Sequence, residues 1–407
     1  MTQPHDPASS AHTAANRGSG RKIYMWQNLM CLTYLMIFKQ MEDFFLANDC
    51  EIVDDPRRAD WILIGACGAF YHQIDNFFDR LEDFSQHDAK IVVYGCLPRI
   101  SPSRYSGAKR HVEFYIDTRR PEGVEKIVSR PKVPWRDVPA ADGFRMIDYR
   151  KFDPKKKYVV IQQGCNSKCV FCPHIKGIGP QESLPRKRVI ADIKRLLDGG
   201  ADTLLIEGRD AGSWGTDLEP AETYPDLLEE ILGIDKPFKL CLNQLGANWV
   251  IRYQDRLLGL LLDSRVVDVH IPIQTVSDRL LELMGREPGV GRLSRFLASV
   301  RGRNGNTVLR TDMLIGFPTE TDDEFTETLH FINEYFDEVA YYGFELHPNT
   351  KVATMGLPPH DRELIEKRVE TAQAFIERNP YLVWHRGGQK PMTMMHRERH
   401  KDRLNRI

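Results

Sequence analysis

Val160-Ile161-Gln162-Gln163-Gly164-Cys165-Asn166-Ser167-Lys168-Cys169-Val170-Phe171-Cys172 is the segment from which the architecture can be read. The run Tyr158–Gln162 reads as a strand, and three cysteines follow it on one loop in the spacing Cys-x3-Cys-x2-Cys. Three thiolates on a short loop can hold three irons of a cubic 4Fe–4S cluster, a group that normally takes four cysteines. One iron is then left open to a substrate or cofactor, as one position is left open in catalytic zinc sites. A structural zinc site of Cys165, Cys169, Cys172 and His174 is the competing reading. Tetrahedral Cys₃His sites usually draw on two separated ligand pairs, so the iron–sulfur reading is the more specific.

Downstream of that loop, strands and helices alternate. Strand candidates are Tyr158–Gln162, Asp202–Glu207, Phe238–Asn243, Val266–Ile271, Thr307–Ile315 and Glu338–Leu346. Helix candidates between them are Lys187–Leu197, Tyr224–Leu232, Val250–Leu262, Ser277–Met284, Leu293–Arg303 and Asp322–Phe336. Such alternation implies parallel strands with helices laid over them. Six βα repeats are too few to close an eight-stranded barrel and fit a partial (β/α)6 barrel over residues 158–358. A helix follows within 359–378, and then a basic tail, 379–407, with seven Lys or Arg against two acids.

Upstream, residues 21–130 repeat the α/β pattern as an open sheet. Lys22–Trp26, Trp61–Ala66, Lys90–Tyr94 and Glu113–Ile116 read as strands, and Leu32–Ala47 and Phe70–Phe84 as helices. Residues 131–157 hold Pro131, Pro134, Pro139 and Pro154 and read as a linker, since proline fixes φ and removes a donor. Residues 1–20 carry almost no large apolar side chain and read as a disordered leader, without the apolar core of a signal peptide.

The 407 residues carry a formal charge of −1, which excludes a globally basic nucleic-acid binder but not a local basic patch. No apolar run approaches the length of a membrane span. Eight cysteines in a chain of this length do not make a disulfide scaffold. A cytoplasmic setting with reduced thiols, free to bind metal, is the expectation.

Three more cysteines share one property. Cys67 ends the strand Trp61–Ala66, Cys96 follows Lys90–Tyr94 after one glycine, and Cys31 lies a few residues past Trp26. All three fall beyond the carboxyl ends of strands inferred to be parallel, the edge where open α/β sheets bind ligands. A second three-cysteine cluster is one reading and three buried core thiols the other. Cys50 and Cys241 fall outside both sets and read as packed thiols.

The cysteine motif, with Phe171 before its last cysteine, resembles the radical S-adenosylmethionine superfamily. The two-part layout over roughly residues 22–375 is similar to the methylthiotransferases of that superfamily. The resemblance is carried by Gly164-Cys165-Asn166, by Gly208-Arg209-Asp210 with Trp214-Gly215, by His270-Ile271-Pro272-Ile273-Gln274, and by Asp312 to Thr321 followed by Phe325 and Thr328. It implies two [4Fe-4S] clusters and S-adenosylmethionine (SAM), with Cys165, Cys169 and Cys172 holding one cluster and Cys31, Cys67 and Cys96 the other. It further implies that Phe171 packs near the adenine and that Asp210, Gln274 and the Gly316, Phe317 and Pro318 backbone line the cofactor site. The corresponding alternatives are a core aromatic, a helix cap, a strand-end polar group and a turn. No catalytic residue beyond the cluster ligands is singled out. An external electron donor of flavodoxin or ferredoxin type is implied as a partner.

Several positions depart from the family pattern. Met30-Cys31-Leu32-Thr33, Lys176-Gly177, Ser183-Leu184-Pro185 and Thr275-Val276-Ser277 replace the usual runs, and Arg209 stands where glutamine is common. Only 29 residues follow Arg378, without the successive strands of the family's C-terminal substrate-binding barrel. These departures turn the expectation toward carbon–sulfur bond formation on a small molecule or peptide in specialised biosynthesis. A tRNA methylthiotransferase, using the basic tail for salt-sensitive contact with nucleic acid, is the less favoured reading. Two others are a radical enzyme whose auxiliary cluster transfers electrons or anchors substrate, and a non-catalytic metal-binding protein.

Overall fold

The computed structural model describes residues 20–29, 31–142, 155–303 and 307–379, together with the backbone strand 383–386. The leader, save its last residue, and most of the basic tail lie outside the described residues, as do residues 143–154 of the 131–157 segment.

The first sheet has five parallel strands: β1 (Lys22–Gln27), β2 (Glu51–Val53), β3 (Trp61–Ala66), β4 (Lys90–Gly95) and β5 (Phe114–Ile116). Their order is β2-β1-β3-β4-β5. The two inner strands, Trp-Ile-Leu-Ile-Gly-Ala and Lys-Ile-Val-Val-Tyr-Gly, are apolar almost throughout because helices cover both faces of a parallel sheet. Ile23, Leu63, Val92 and Tyr94 pack against helix Leu32–Ala47, while Ile62, Ile64, Ile91 and Val93 pack against helix Tyr71–Phe84. The chain reverses its direction of growth between β1 and β3, and in this strand order a ligand site lies outside the carboxyl ends at that switch.

The second sheet is also all parallel. Its strands are β6 (Lys156–Val160), β7 (Thr203–Glu207), β8 (Lys239–Leu242), β9 (Val266–His270), β10 (Val308–Ile315), β11 (Glu338–Gly343) and β12 (Val383–Arg386). They lie in the order β12-β11-β10-β9-β8-β7-β6. Six of these are the strands expected from the alternation. The seventh, β12, falls in the basic tail and adds an edge beside β11. The first begins at Lys156, inside the stretch read as linker. The expected helix Val250–Leu262 is two helices, Ala247–Arg252 and Gln254–Leu261, joined at Tyr253, whose ring stacks on Trp249.

Alternation along these strands separates two surfaces. Leu204, Ile206, Leu240, Leu242, Val269, Leu309 and Val339 pack under the helices. The other face carries a buried polar chain. The Arg310 guanidinium donates to Asp268 and, at 2.6 Å, to Asn243, whose amide donates to Glu207 at 3.1 Å. At the carboxyl end of the same face, His270 Nε2 lies 3.1 Å from Asp312 Oδ1.

The two sheets present their carboxyl ends to one another. Thr118 donates to the Gly177 carbonyl at 2.7 Å, and Asn349 to that of Ile100 at 2.8 Å. The Tyr71 backbone N–H donates to Glu345 at 3.0 Å, its ring stacks on His347, and Phe70 stacks on Tyr342. Among the described residues, no helix is long and apolar enough to cross a membrane.

Candidate functional site

Cys31 and Cys96 occupy the positions preceding the first turns of helix Leu32–Ala47 and of the short helix Leu97–Ile100, and Cys67 directly follows β3. All three are buried and unbridged, at 6%, 1% and 1% exposure. Cys96 Sγ accepts the Gly68 N–H at 3.3 Å and is hydrogen-bonded to the Cys67 side chain. The Cys67 N–H donates to Asn28 Oδ1 at 3.1 Å, and the Asn28 amide donates to the Gln73 carbonyl. Asn28 thus ties the end of β1 to the turn after β3. Cys31 interacts electrostatically with both other cysteines, so the three sulfurs form one group at the switch point of the first sheet. The bond from Cys67 and burial hold the Cys96 thiol well up, and burial raises Cys31.

The other triad sits at the carboxyl end of β6. Gly164 at φ +66° turns the chain, and a Cβ there would meet the Pro180 carbonyl oxygen at 1.6 Å, so only glycine fits this approach. Cys165 Sγ accepts the Ser167 N–H at 3.4 Å, and Cys172 Sγ lies 3.8 Å from His174 Nδ1. Burial raises the Cys165 thiol and pushes Cys172 up to about 11. These three cysteines are half-buried, more open than the first set.

Among the described residues, no three His, Cys, Asp or Glu side chains are gathered as a site for a single metal ion. A cluster asks for a wider donor set, one thiolate per iron of a cube. Two groups of three cysteines, each ending parallel strands at a carboxyl edge, have the chemistry that this requires.

The remaining expected site residues surround the second triad. The Asp210 carboxylate accepts from Ser167 Oγ at 2.8 Å and from Trp249 Nε1 at 3.0 Å. It is thus engaged in holding the cysteine loop against the end of β7 rather than in capping a helix. The Phe171 ring lies edge-on to Phe317, with the Arg286 guanidinium 5.6 Å from its centroid. Gln274, at φ +70°, is locked into the sheet, its N–H donating to the Asp312 carbonyl and its own carbonyl accepting from Leu314. Gly316, at φ +81°, donates its N–H to Glu320 at 2.7 Å, and a Cβ there would meet Ile365 at 2.6 Å. The Phe317 ring is wholly buried against Phe344. Cys50 and Cys241 are buried, Cys50 just before β2 and Cys241 within β8.

Arg209 follows β7 by one glycine and is half-buried, and the electrostatic influence of its guanidinium reaches Cys31 of the first triad and Cys172 of the second. Tyr34 and Glu207 complete its surroundings. Burial opposes the charge, but Cys31, Tyr34, Cys172 and Glu207 outweigh it and hold the guanidinium firmly protonated. Burial, with Arg209 and His347, pushes His174 well below the ordinary imidazole range, so it stands neutral beside Cys172. Burial raises Glu207 to about 7, with Arg209, Asn243 and Arg310 working against it. In the sequence, Arg209 stood out only as a departure from a pattern. The rule that marked the cysteines, a position just past the carboxyl end of a parallel strand, marks it equally.

Comparison with known proteins agrees with this arrangement. Residues 159–332 match the radical SAM superfamily. The ribosomal protein uS12 methylthiotransferase RimO of Thermotoga petrophila is 30% identical over 336 residues, covering 79% of this chain and 75% of that one. The tRNA-2-methylthio-N(6)-dimethylallyladenosine synthase of Chloroflexus aurantiacus is 26% identical, covering 88% and 78%. In fold, the chain is similar to the radical SAM methyltransferase TsrM of Kitasatospora setae, solved with cobalamin and a [4Fe-4S] cluster, with a TM-score of 0.57 at 13% identity over 82% and 77% of the two chains. A relative this similar along most of both sequences, and a three-cysteine loop at the carboxyl edge of a parallel sheet, make the chain a member of the radical S-adenosylmethionine methylthiotransferase family.

Proposed function

We propose that this enzyme carries two [4Fe-4S] clusters, on Cys165, Cys169 and Cys172 and on Cys31, Cys67 and Cys96, and forms a carbon–sulfur bond at an unactivated carbon. The observation that carries the reading is that both triads lie at the carboxyl edges of their parallel sheets and that those edges face each other, with Gly177 pressed against Cys96 across the seam. When bound, the first cluster with SAM supplies a 5′-deoxyadenosyl radical and the second supplies sulfur. The chain's own residues set the stage. Asp210 fixes the cysteine loop through Ser167, Phe171 offers a ring beside the cofactor site, and the Gly316–Pro318 backbone and Gln274 line it. The domain limits proposed with it are 21–130 for the first unit, 131–155 for the linker and a second unit that starts with β6 at Lys156 and runs to 358.

The test is elemental and chemical. About eight irons per chain are expected in the wild type and about four in a Cys31/Cys67/Cys96→Ala variant. An unchanged iron content in that variant would remove the second cluster. Product mass decides the chemistry: a gain without sulfur assigns the auxiliary cluster to electron transfer or anchoring.

For the substrate, the departures at Lys176-Gly177, Ser183–Pro185 and Thr275–Ser277 support a small molecule or peptide. The relatives named for ribosomal protein uS12 and for tRNA support a macromolecule. Removing residues 379–407 and measuring tRNA affinity against salt separates these readings. Salt-dependent affinity that disappears with the tail favours tRNA.

A further inference from the structure

The polar face of the second sheet satisfies itself at its base. The Arg310 guanidinium donates to Asp268 at 2.9 and 2.6 Å and to Asn243 at 2.6 Å, and Asn243 donates to Glu207 at 3.1 Å. Two positions further along β9 and β10 the pattern changes. His270 closes β9 at 2% exposure, and neither of its ring nitrogens has a hydrogen-bond partner. Its Nε2 lies 3.1 Å from Asp312 Oδ1, within ion-pair range but not aligned as a hydrogen bond. The Asp312 side chain keeps 16% of its surface open. Among the described residues, none gives its carboxylate an aligned hydrogen bond. A buried carboxylate calls for donors and compensating charge, and this one has kept its accepting capacity free.

Asp312 also stands at the seam. Its backbone carbonyl accepts the Gln274 N–H at 2.9 Å, beside the proposed cofactor site. Its register partner on β11 is Ala340, whose single methyl leaves room beside the carboxylate. Two residues further along β11, Tyr342 stacks on Phe70 of the first unit. The charge already on this face adds no spare cation. Glu207, Asp268 and Glu338 are buried with Arg310, which is bonded to Asp268, and Arg209 follows half-buried past β7. We propose that Asp312, packed against His270, determines substrate specificity by accepting from a cationic nitrogen, a guanidinium or an ammonium, carried near the reacting carbon. A substrate carboxylate would be repelled at the same place. The proposal rests on the seam being the reaction site, as read above. A product without added sulfur fails that reading and leaves the preference for a cation standing.

The test is equilibrium binding to the full-length, reconstituted enzyme, with SAM present and no reductant. The probes are acetyl-arginine amide, its neutral isostere acetyl-citrulline amide, acetyl-glutamate amide and agmatine. The arginine amide is expected to bind about tenfold more tightly than the citrulline amide, since a hydrogen bond between charged partners is lost in the neutral probe. The glutamate amide should bind more weakly than either. Asp312→Asn keeps the shape, removes the charge and should erase the preference, with iron content and SAM affinity at wild-type values. Agmatine bound more tightly than the arginine amide assigns the cation to a free amine, and the reverse assigns it to a residue in a peptide; both keep the proposal. Equal binding of the arginine and citrulline amides, tighter binding of the glutamate amide, binding of neither cationic probe, or a preference that survives Asp312→Asn would overturn it. Where Asp312→Asn loses iron, the comparison of arginine with citrulline on the wild type decides alone.

Discussion

Glu207 shows how one buried side chain links the fold to pH. It closes β7 inside the second sheet, and burial lifts its carboxyl to about 7, with the cations Arg209 and Arg310 and the amide of Asn243 acting in the other direction. The fold therefore favours its protonated form. The sign follows from linkage: this contribution to stability is complete below the ordinary glutamate value of 4.5 and is lost as the pH rises through about 7. Glu320 and Glu338, also buried, are raised to about 7 and act in the same sense. Glu207→Gln should flatten this part of the stability curve, removing a loss on the order of 2 kcal/mol between pH 5 and pH 8. Urea midpoints at several pH values read it directly, and an unaltered slope would show that Glu207 does not titrate there.

Among the elements, helix Arg362–Glu377 has a task that its amphipathic pattern does not announce. Its Arg368 is buried and donates to Glu320 at 2.9 Å and to Asp322 at 2.7 Å. Glu320 in turn accepts the Gly316 N–H. The helix thus braces the Gly316–Pro318 stretch that we propose lines the cofactor site. Removing one partner of a buried pair strands the other, so Arg368→Ala should lower stability by about 3 kcal/mol in thermal or urea unfolding. The affinity for SAM should weaken with it, and unchanged binding in calorimetry would uncouple the helix from that loop.

Elements such as β3 and helix Leu32–Ala47 were legible in the sequence to the residue, because a buried parallel strand is a continuous apolar run and a covering helix is long and apolar. The cysteines were legible as positions at strand ends. Strand β12 was not, since four residues in a basic tail carry too short a pattern and pairing with β11 defines them. The break at Tyr253 was hidden within an apolar run spanning both helices. The link from Arg368 to Glu320 crosses 48 residues and leaves no periodic trace. Arg209 was visible only as an oddity in the pattern.

At the scale of the molecule, two parallel sheets turn their ligand-binding edges toward each other, and the triads differ in access. Cys31, Cys67 and Cys96 are almost wholly covered, whereas Cys165, Cys169 and Cys172 are half-open. Iron held by the open loop should be released first on brief exposure to air or chelator. Iron analysis and spectroscopy over time, on the wild type and on variants lacking either triad, would show the order. Equal rates would mean that the seam opens freely.

The tightness of that seam carries a consequence for how the enzyme is put together. Gly177 presses so closely on the first sheet that a single added carbon would come within 2.6 Å of the Cys96 Cβ. Under the two-cluster proposal, a metal group on Cys31, Cys67 and Cys96 would have to be delivered before the halves dock or while they are parted, so that maturation would run interior first and rim second and repair could renew the rim alone.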